Sequence, residues 1–219
     1  PQVYAVVGIH PNAAVEESAG FLTELRELVA QPKVVAIGEC GLDYHRLPGT
    51  GNGGSVEGGD EAGKGEMLKR RQAEVFQQQL ELAAEVGLNV VIHERDAWDD
   101  TTAILRQFTG RVRGVFHCFG KSPGQAREMI ALGHLVSFTG IITFKNAPLP
   151  HASATELPVD TFMVETDCPF LAPVPHRGKR CEPGHTRLVA ERIAALRGTS
   201  VEEIARATTA TADRFFRFR

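Results

Sequence analysis

Four stretches of the sequence place a histidine or a carboxylate at the end of a short apolar run. The stretches read Ala36-Ile37-Gly38-Glu39, Val91-Ile92-His93, Val115-Phe116-His117 and Met163-Val164-Glu165-Thr166-Asp167. Two imidazoles and two carboxylates make a mixed nitrogen and oxygen ligand set that suits Zn²⁺, Mn²⁺ or a similar ion. Because a carboxylate can bridge two ions, the set favours a two-metal site, in which ions ~3.5–4 Å apart activate water for a phosphoryl displacement.

Parallel strands joined by helices are the elements that would bring these residues together. Short apolar runs predict six strands, at Val3 to Gly8, Val34 to Glu39, Asn89 to His93, Gly114 to His117, Leu135 to Phe138 and Phe162 to Asp167. Helical patterns lie at Glu16 to Ala30, Glu66 to Val86, Ala97 to Phe108, Pro123 to Leu132 and His185 to Leu196. This alternation is typical of α/β proteins, and in a parallel barrel the carboxyl ends of the strands open onto one face.

The two-residue period of a strand indicates which neighbours share a face. By this count Glu39 shares a face with Ile37, whereas Cys40 faces the helices. Asp167 likewise falls on the same side as Glu165. The cysteines beside the candidate ligands are therefore expected to be packing residues rather than thiolate ligands.

Two further signals mark boundaries along the chain. Ser200 and Glu203 form an S-x-x-E capping box, which predicts a last helix that ends near Phe216. From Pro48 to Gly65 the chain is dominated by glycine, which predicts a flexible insertion between a strand and a helix. This insertion is either an active-site lid or a segment without a role.

The composition limits the class of protein. A chain of 219 residues with 42% hydrophobic residues suits one domain, over residues 1–219, with a sizeable core. A net charge of -3 means that any contact with phosphate groups must come from a local site rather than from the overall field. No apolar run reaches the ~20 residues that span a bilayer, so no membrane association is expected.

The four cysteines, Cys40, Cys118, Cys168 and Cys181, lie far apart and form no C-x-x-C pair. Neither a disulfide framework nor a zinc ribbon is expected, and a reducing compartment is the simpler interpretation. We therefore expect a cytoplasmic protein, or a nuclear one if the source is eukaryotic. Because the chain begins without an initiator methionine, we also expect that residues upstream have been removed.

Five motifs, taken in order, carry a resemblance to a known family. They are Gly38-Glu39-Cys40-Gly41-Leu42-Asp43-Tyr44, Ile92-His93-Glu94-Arg95-Asp96, His117-Cys118-Phe119, Glu165-Thr166-Asp167-Cys168-Pro169-Phe170 and Pro173-Val174-Pro175-His176-Arg177-Gly178-Lys179. With these motifs the sequence resembles the TatD family of metal-dependent deoxyribonucleases. The resemblance runs from Gly8 to the C-terminal helix and omits only the glycine-rich segment.

The resemblance implies an α/β fold, a TIM-type (β/α)8 barrel of the metal-dependent hydrolase class. Glu39, His93, His117 and Asp167 match the metal-ligand positions of the family. By this likeness Glu39 bridges two divalent ions (Mg²⁺, Mn²⁺ or Zn²⁺), and Asp167 binds metal and orients or deprotonates the attacking water. His10 matches a catalytic-site histidine of some members that contacts the substrate or helps to hold the site, although a structural role before the Pro11 turn is the alternative.

Members of the family commonly begin with two strands that this sequence lacks. The first carries a His-x-His motif that supplies two further metal ligands, and the second precedes the strand that ends in Gly-x-His-Pro. We therefore expect a barrel in which about the first two βα units are missing.

Basic and aromatic residues near the last predicted strand suggest how a substrate is held. Arg177, Lys179 and Arg180 form a basic cluster suited to phosphate oxygens, with a solvated charge run as the alternative for Arg180. Three aromatic residues could either stack unpaired bases or pack in the core: Phe119, Phe144 and Phe170.

Together these features predict hydrolysis of DNA phosphodiester bonds by metal-activated water, from single strands or 3′ ends as an exonuclease. No obligatory protein partner is indicated. One alternative is the cleavage of an amide or a lactone by the same type of site, as in related amidohydrolases. The other is a truncated or degenerate relative that binds metal or nucleic acid with little or no turnover.

Overall fold

The computed structural model describes residues 3–14, 16, 20–45, 47–48 and 61–218. The chain forms two compact units, residues 1–114 and residues 115–219. Each unit combines parallel strands with helices, as the alternating pattern predicts. The expectation of one domain over residues 1–219 stays a prediction.

The first unit is built on three parallel strands. They are β1 (Ala5–Val7), β2 (Val34–Asp43) and β3 (Asn89–Arg95). The middle strand, β2, pairs in parallel with both β1 and β3. Three helices accompany them, namely α1 (Phe21–Val29), α2 (Glu61–Val86) and α3 (Trp98–Gln107). Parallel strands need crossover connections, and α1 and α2 lie in the connections between these strands.

The second unit repeats the pattern. Its strands are β4 (Gly114–Phe116), β5 (Leu135–Phe138) and β6 (Phe162–Val164). The middle strand, β5, pairs in parallel with both neighbours. Its helices are α4 (Pro123–Ala131), α5 (Pro148–Glu156), α6 (Thr186–Arg197) and α7 (Val201–Phe216). A 3-10 helix at Gly140–Thr143 follows β5.

All six predicted strands are present, and the largest differences from the predicted bounds lie at the ends of β2 and β6. β2 continues to Asp43, four residues past Glu39, and β6 ends at Val164, so the predicted strand end at Asp167 is wrong. Helix α5 was not predicted, because its prolines, Pro148 and Pro150, are typical turn residues. Both lie in the first helical turn, where a missing backbone N–H leaves no hydrogen bond unmade.

Aromatic rings fill the core of the second unit. Phe119, Phe138 and Phe162 are at most 5% exposed. Their rings meet edge to face, with centroids 6.5 Å apart for Phe119 and Phe138 and 5.3 Å apart for Phe138 and Phe162. Each such pair adds ~0.5–1.5 kcal/mol to the free energy gained by burial. Of the three candidate stacking residues, Phe119 is therefore a core residue.

Of the capping box predicted at the last helix, the hydrogen bond to the Ser200 side chain is confirmed. Ser200 is the N-cap of α7, and its hydroxyl accepts a hydrogen bond from the backbone N–H of Glu203 at 3.1 Å. The Glu203 carboxylate accepts a hydrogen bond from the hydroxyl of Thr199. Within the described ranges, no helix combines the length and the apolar character that crossing a membrane requires.

The predicted loop from Pro48 to Gly65 is too long at its C-terminal end, because α2 begins at Glu61. Residues 49–60, where the flexible insertion was predicted, lie outside the described residues. Gly65 is buried within the helix, and a Cβ atom there would lie 2.3 Å from the carbonyl oxygen of Pro48. The glycine thus allows the backbones at the two ends of the segment to touch.

Two buried glutamines of α2 hold the backbone shortly after β1 and at the end of β2. The Gln79 side chain accepts a hydrogen bond from Ile9 N at 2.7 Å and donates one to Ile9 O at 3.0 Å. Gln72 makes the same pair of bonds with the backbone of Asp43, at 2.9 and 3.0 Å. A primary amide matches a backbone N–H and C=O at once, so one side chain satisfies both groups of a residue.

We predict that Gln79→Leu destabilises the protein by about 2–5 kcal/mol, because it leaves both backbone groups of Ile9 without their partner. The matched control is Gln78→Leu, which changes an exposed glutamine on the same helix and should shift stability by no more than ~0.5 kcal/mol. Urea unfolding followed by circular dichroism measures both. Equal stability of the two variants would show that the Gln79 contacts are dispensable.

Candidate functional site

The predicted site residues fall into two clusters, one in each unit. His10, Glu39 and His93 lie in the first unit, whereas His117 and Asp167 lie in the second. Glu39 and His93 are in the C-terminal halves of their strands, and His117 follows directly after β4. Asp167 lies three residues beyond the end of β6.

A β-bulge in β2 determines where Glu39 points. The pairing register passes from Ile37 opposite Val90 to Cys40 opposite Ile92, so β2 carries one more residue than β3 over this stretch. Bulges redirect side chains and are common beside active sites. The bulge interrupts the two-residue period, so the alternation that placed Glu39 with Ile37 does not apply here.

Two glycines on either side of Glu39 allow β2 and β3 to approach closely. Gly38 and Gly41 have φ angles of +149° and +144°. A Cβ atom at Gly38 would lie 2.6 Å from the carbonyl oxygen of Val91, and one at Gly41 would lie 2.0 Å from that of His93. Only glycine fits at these positions, so backbone contact explains both glycines of the Gly-Glu-Cys-Gly motif.

In the first unit the His93 ring lies among three polar side chains. Its Nδ1 atom is 3.0 Å from Glu39 Oε1 and 3.3 Å from His10 Nε2. Its Nε2 atom is 3.1 Å from Asp43 Oδ2. Three possible ligand atoms lie within 4.8 Å of one another, one each from His10, Glu39 and His93. Imidazole and carboxylate donors at this spacing fit a Zn²⁺ or Mn²⁺ ion.

Asp43 was not selected from the sequence, although it lies in the Gly-Leu-Asp motif, and it orients His93. Its side chain is 6% exposed. Burial raises the pKa of Asp43, but hydrogen bonds from His93 and from the backbone N–H of His45 outweigh burial and lower it. The carboxylate thus holds the Nε2–H group of His93, which leaves Nδ1 to face Glu39 and to bind a metal.

Burial and hydrogen bonding act in opposite directions on His93 as well. Burial lowers the pKa of His93, whereas hydrogen bonds to Asp43 and Glu39 raise it, and the result is a pKa of about 9. Without metal the ring is therefore an imidazolium at neutral pH. A metal ion at Nδ1 would replace one of its protons.

The His10 ring is fixed by its own backbone. Its Nδ1 atom accepts a hydrogen bond from the N–H of Asn12 at 3.1 Å. In a neutral imidazole the other nitrogen then carries the proton, so His10 Nε2 is a hydrogen-bond donor. A neutral His10 could bind a metal through Nε2 only in the tautomer that gives up the contact with Asn12, so this contact favours a substrate-contacting role for His10 over a ligand role.

In the second unit His117 lies between two carboxylates. Its Nδ1 atom is 2.8 Å from Glu165 Oε2, and its Nε2 atom is 3.6 Å from Asp167 Oδ1. Glu165 Oε1 also accepts a hydrogen bond from the backbone N–H of Cys118 at 2.8 Å. Because Nδ1–H donates to Glu165, the Nε2 lone pair faces Asp167, and these two atoms fit a metal ion between them.

Glu165 was not selected as a functional residue from the sequence. The two-residue period put it on the same side as Asp167, but both residues lie beyond the end of β6, where that period does not apply. The signal that could have identified it is the presence of two carboxylates in Glu165-Thr166-Asp167, one to bind metal and one to orient a ligand.

The two cysteines beside predicted ligands have the properties of packing residues. Cys40 is fully buried, and burial raises the pKa of its thiol. Burial also raises the pKa of Cys118, to about 11. Metal binding requires a thiolate, which neither environment favours.

The predicted phosphate-binding residues lie on an exposed loop after β6. The Arg177 guanidinium lies 4.4 Å from the centre of the Phe144 ring, whereas Arg180 Nε is 3.3 Å from Glu182 Oε1. The charge of Arg180 is thus partly offset by a carboxylate. Arg177 and Lys179 are the better candidates for binding phosphate.

A parallel α/β fold with histidine and carboxylate clusters at the strand ends defines the class of metal-dependent hydrolases. Within that class, the family described as TatD related DNase matches residues 1–217. The chain therefore belongs to the TatD family of metal-dependent hydrolases, which confirms the resemblance predicted from the motifs.

Named relatives agree with this assignment. The chain is 44% identical over 218 residues to a protein of Bacillus subtilis named metal-dependent hydrolase YabD, covering 98% of this chain and 78% of the relative. It is 32% identical over 220 residues to a protein of Pantoea vagans named 3'-5' ssDNA/RNA exonuclease TatD. This match covers 98% of this chain and 78% of the relative.

A solved structure confirms the fold class. The crystal structure of YjjV, a TatD homologue from Escherichia coli, matches with a TM-score of 0.83 and 27% sequence identity. The match covers 99% of this chain and 77% of that one. The predicted α/β fold of the TIM-barrel type is thereby confirmed.

We predict that the stability of the metal-free protein falls as the pH rises from about 6.5, the usual pKa of histidine, through the His93 pKa of about 9. A raised pKa stabilises the folded state at low pH, and that contribution is lost, at most about 3 kcal/mol, as the imidazolium deprotonates. Urea unfolding in EDTA at pH 6.5, 8 and 9.5 measures the change. His93→Gln is the control, and parallel pH profiles for the two proteins would contradict the prediction.

We also predict that Glu165→Gln weakens Mn²⁺ or Zn²⁺ binding by about 10- to 100-fold, because His117 and Cys118 donate to different oxygens of Glu165, and the NH2 group of glutamine would face one of these two donors. Calorimetry measures the affinity, and nitrogen-15 NMR reports the His117 tautomer. The control, Glu156→Gln, removes an exposed carboxylate that pairs with Arg127 and should leave both unchanged. An unchanged affinity in Glu165→Gln would rule out the orienting role.

Proposed function

We propose that the protein is a metal-dependent phosphodiesterase that hydrolyses DNA, from single strands or 3′ ends. The observation that carries the proposal is that His93 and His117 are each held by a carboxylate on one ring nitrogen while the other nitrogen faces a second carboxylate. This arrangement orients each imidazole so that its second nitrogen can bind a metal in place of a proton. Two divalent ions, Mg²⁺, Mn²⁺ or Zn²⁺, would supply the activated water and stabilise the oxygens of the displacement.

Each site residue then has a role that follows from its surroundings. We assign His93 and His117 as nitrogen ligands and Glu39 and Asp167 as carboxylate ligands, with Glu39 as the bridging group. Asp167, whose side chain is 32% exposed, would also orient the attacking water and accept its proton. His10, with its Nε2–H group, would donate a hydrogen bond to a phosphate oxygen of the substrate.

Two observations support a phosphodiester over an amide or a lactone. Arg177 and Lys179 place positive charge on the loop that follows Asp167, where phosphate oxygens can be bound. The relative from Pantoea vagans carries the name of an exonuclease that acts on single-stranded DNA and RNA. The cytoplasmic location expected from the cysteines, all four of which are free thiols, stays a prediction.

We predict that Glu39→Ala lowers the rate of nucleotide release from single-stranded DNA about 100-fold or more, because it removes the proposed bridging ligand. The folded state should be retained, since the Glu39 side chain is 30% exposed and outside the core. The assay uses an oligonucleotide labelled at its 5′ end. Mn²⁺ is added at about 1 to 10 equivalents per protein, a range on the order of what fills the metal sites. Glu81→Gln, which changes an exposed carboxylate paired with Arg111, is the control.

The outcomes separate the proposed activity from its alternatives. Retained cleavage and retained metal content in Glu39→Ala would show that Glu39 is not a metal ligand. Turnover of an anilide or a lactone, but not of DNA, by the unaltered protein would favour the amidohydrolase type of reaction. Metal binding without turnover of any of these substrates would identify a binding protein.

A further inference from the structure

One aromatic side chain close to the second cluster is strongly exposed. The Phe170 ring is 67% exposed, although it lies only three residues after Asp167. The two residues belong to one turn, in which the backbone N–H of Phe170 donates to the carbonyl oxygen of Asp167 at 2.6 Å. A phenyl ring in water forgoes the free energy of burial, so a ring in this position suits contact with a ligand.

The loop that carries Phe170 is fixed at both of its ends. Pro169 O accepts a hydrogen bond from Cys181 N at 3.0 Å, which joins the start of the loop to its end. Farther along, Val174 N donates to the hydroxyl of Thr143 at 2.9 Å. The loop also passes over Gly140, where a Cβ atom would lie 2.1 Å from the carbonyl oxygen of Leu171. Phe170 is thus presented on a held backbone, which limits the entropy lost on binding.

Positive charge lies on the same loop. The backbone hydrogen bond between Cys181 and Pro169 joins the residues that follow Arg180 and precede Phe170. Arg177 is held by its contact with the Phe144 ring, which in turn follows Thr143, one of the residues that fix the loop. Lys179 is exposed between the two arginines. An exposed ring and cations on one loop are complementary to an unpaired base with its phosphates.

We propose that Phe170, Arg177 and Lys179 form a binding site for one unpaired nucleotide of a single-stranded nucleic acid. In it, the base stacks on the Phe170 ring and the adjoining phosphates contact the two cations. The inference rests on the proposed function, because it specifies which part of a strand the protein grips beside Asp167. Of the three aromatic residues considered for base stacking, it selects Phe170. Phe119 is buried in the core, and the ring of Phe144 contacts Arg177.

The test is the binding of a fluorescent oligothymidylate, measured by anisotropy in EDTA so that no cleavage occurs. Phe170→Leu should weaken binding about tenfold, and Phe170→Trp should restore it, because stacking one base contributes a factor of this order. An abasic oligonucleotide of equal length should bind equally to the unaltered protein and to Phe170→Leu. Arg177→Gln and Lys179→Gln should each reduce the slope of log affinity against log salt by about 0.7.

The matched control is Val174→Ala, which trims an exposed apolar residue of the same loop and should leave binding unchanged. Equal affinity of Phe170→Leu and the unaltered protein for oligothymidylate would overturn the inference, as would a lack of binding by the unaltered protein. Hydrolysis of methyl p-nitrophenyl phosphate reports the chemistry separately. Binding that depends on Phe170 without hydrolysis of any phosphodiester would uphold the nucleotide site and reject the proposed function.

Discussion

The hydrogen bonds from the two buried glutamines of α2 are the contacts on which the first cluster depends. Strand ends expose backbone N–H and C=O groups, and burying such groups without partners costs about 1–3 kcal/mol each. Gln79 satisfies both groups of Ile9, directly before His10, and Gln72 satisfies both groups of Asp43. Because the two glutamines are seven residues apart, they lie two helical turns apart on one face of α2. A single helix thereby fixes the backbone on which His10 and Asp43 stand.

Hydrogen bonds from single side chains or backbone groups also orient the histidines of both clusters. A neutral imidazole has one donor and one acceptor nitrogen, so a carboxylate that accepts from one nitrogen determines which lone pair is available for a metal. Asp43 does this for His93, and Glu165 does it for His117. In His10 the Nδ1 atom is instead an acceptor, because its lone pair accepts a hydrogen bond from the N–H of Asn12. Local hydrogen bonding therefore distinguishes two proposed ligands from one proposed donor among three histidines.

The sequence was sufficient for the six strands and the family, because apolar runs and ordered motifs are local properties of a chain. It was not sufficient for the residues that act through a neighbour. The alternation put Glu165 on the side of Asp167 but gave no sign that Glu165 contacts His117, and the extra residue in β2 breaks the same alternation around Glu39. Gln72 and Gln79 carry no signal at all, since a glutamine in a long helix usually faces solvent. Only the packing of α2 on the strand ends shows that these two are buried.

Asp167 is a partly exposed ligand with a long contact to His117, and this suits a group that must exchange partners. His93 contacts a carboxylate at each ring nitrogen, whereas the Asp167 carboxylate is one-third exposed and 3.6 Å from His117. A carboxylate that binds metal and also takes a proton from water needs room for both states. Its backbone, however, is tied to Phe170. The turn from Asp167 to Phe170 therefore places a partly exposed carboxylate three residues before an exposed ring, so a nucleic-acid strand bound on the ring would lie close to the proposed reacting group.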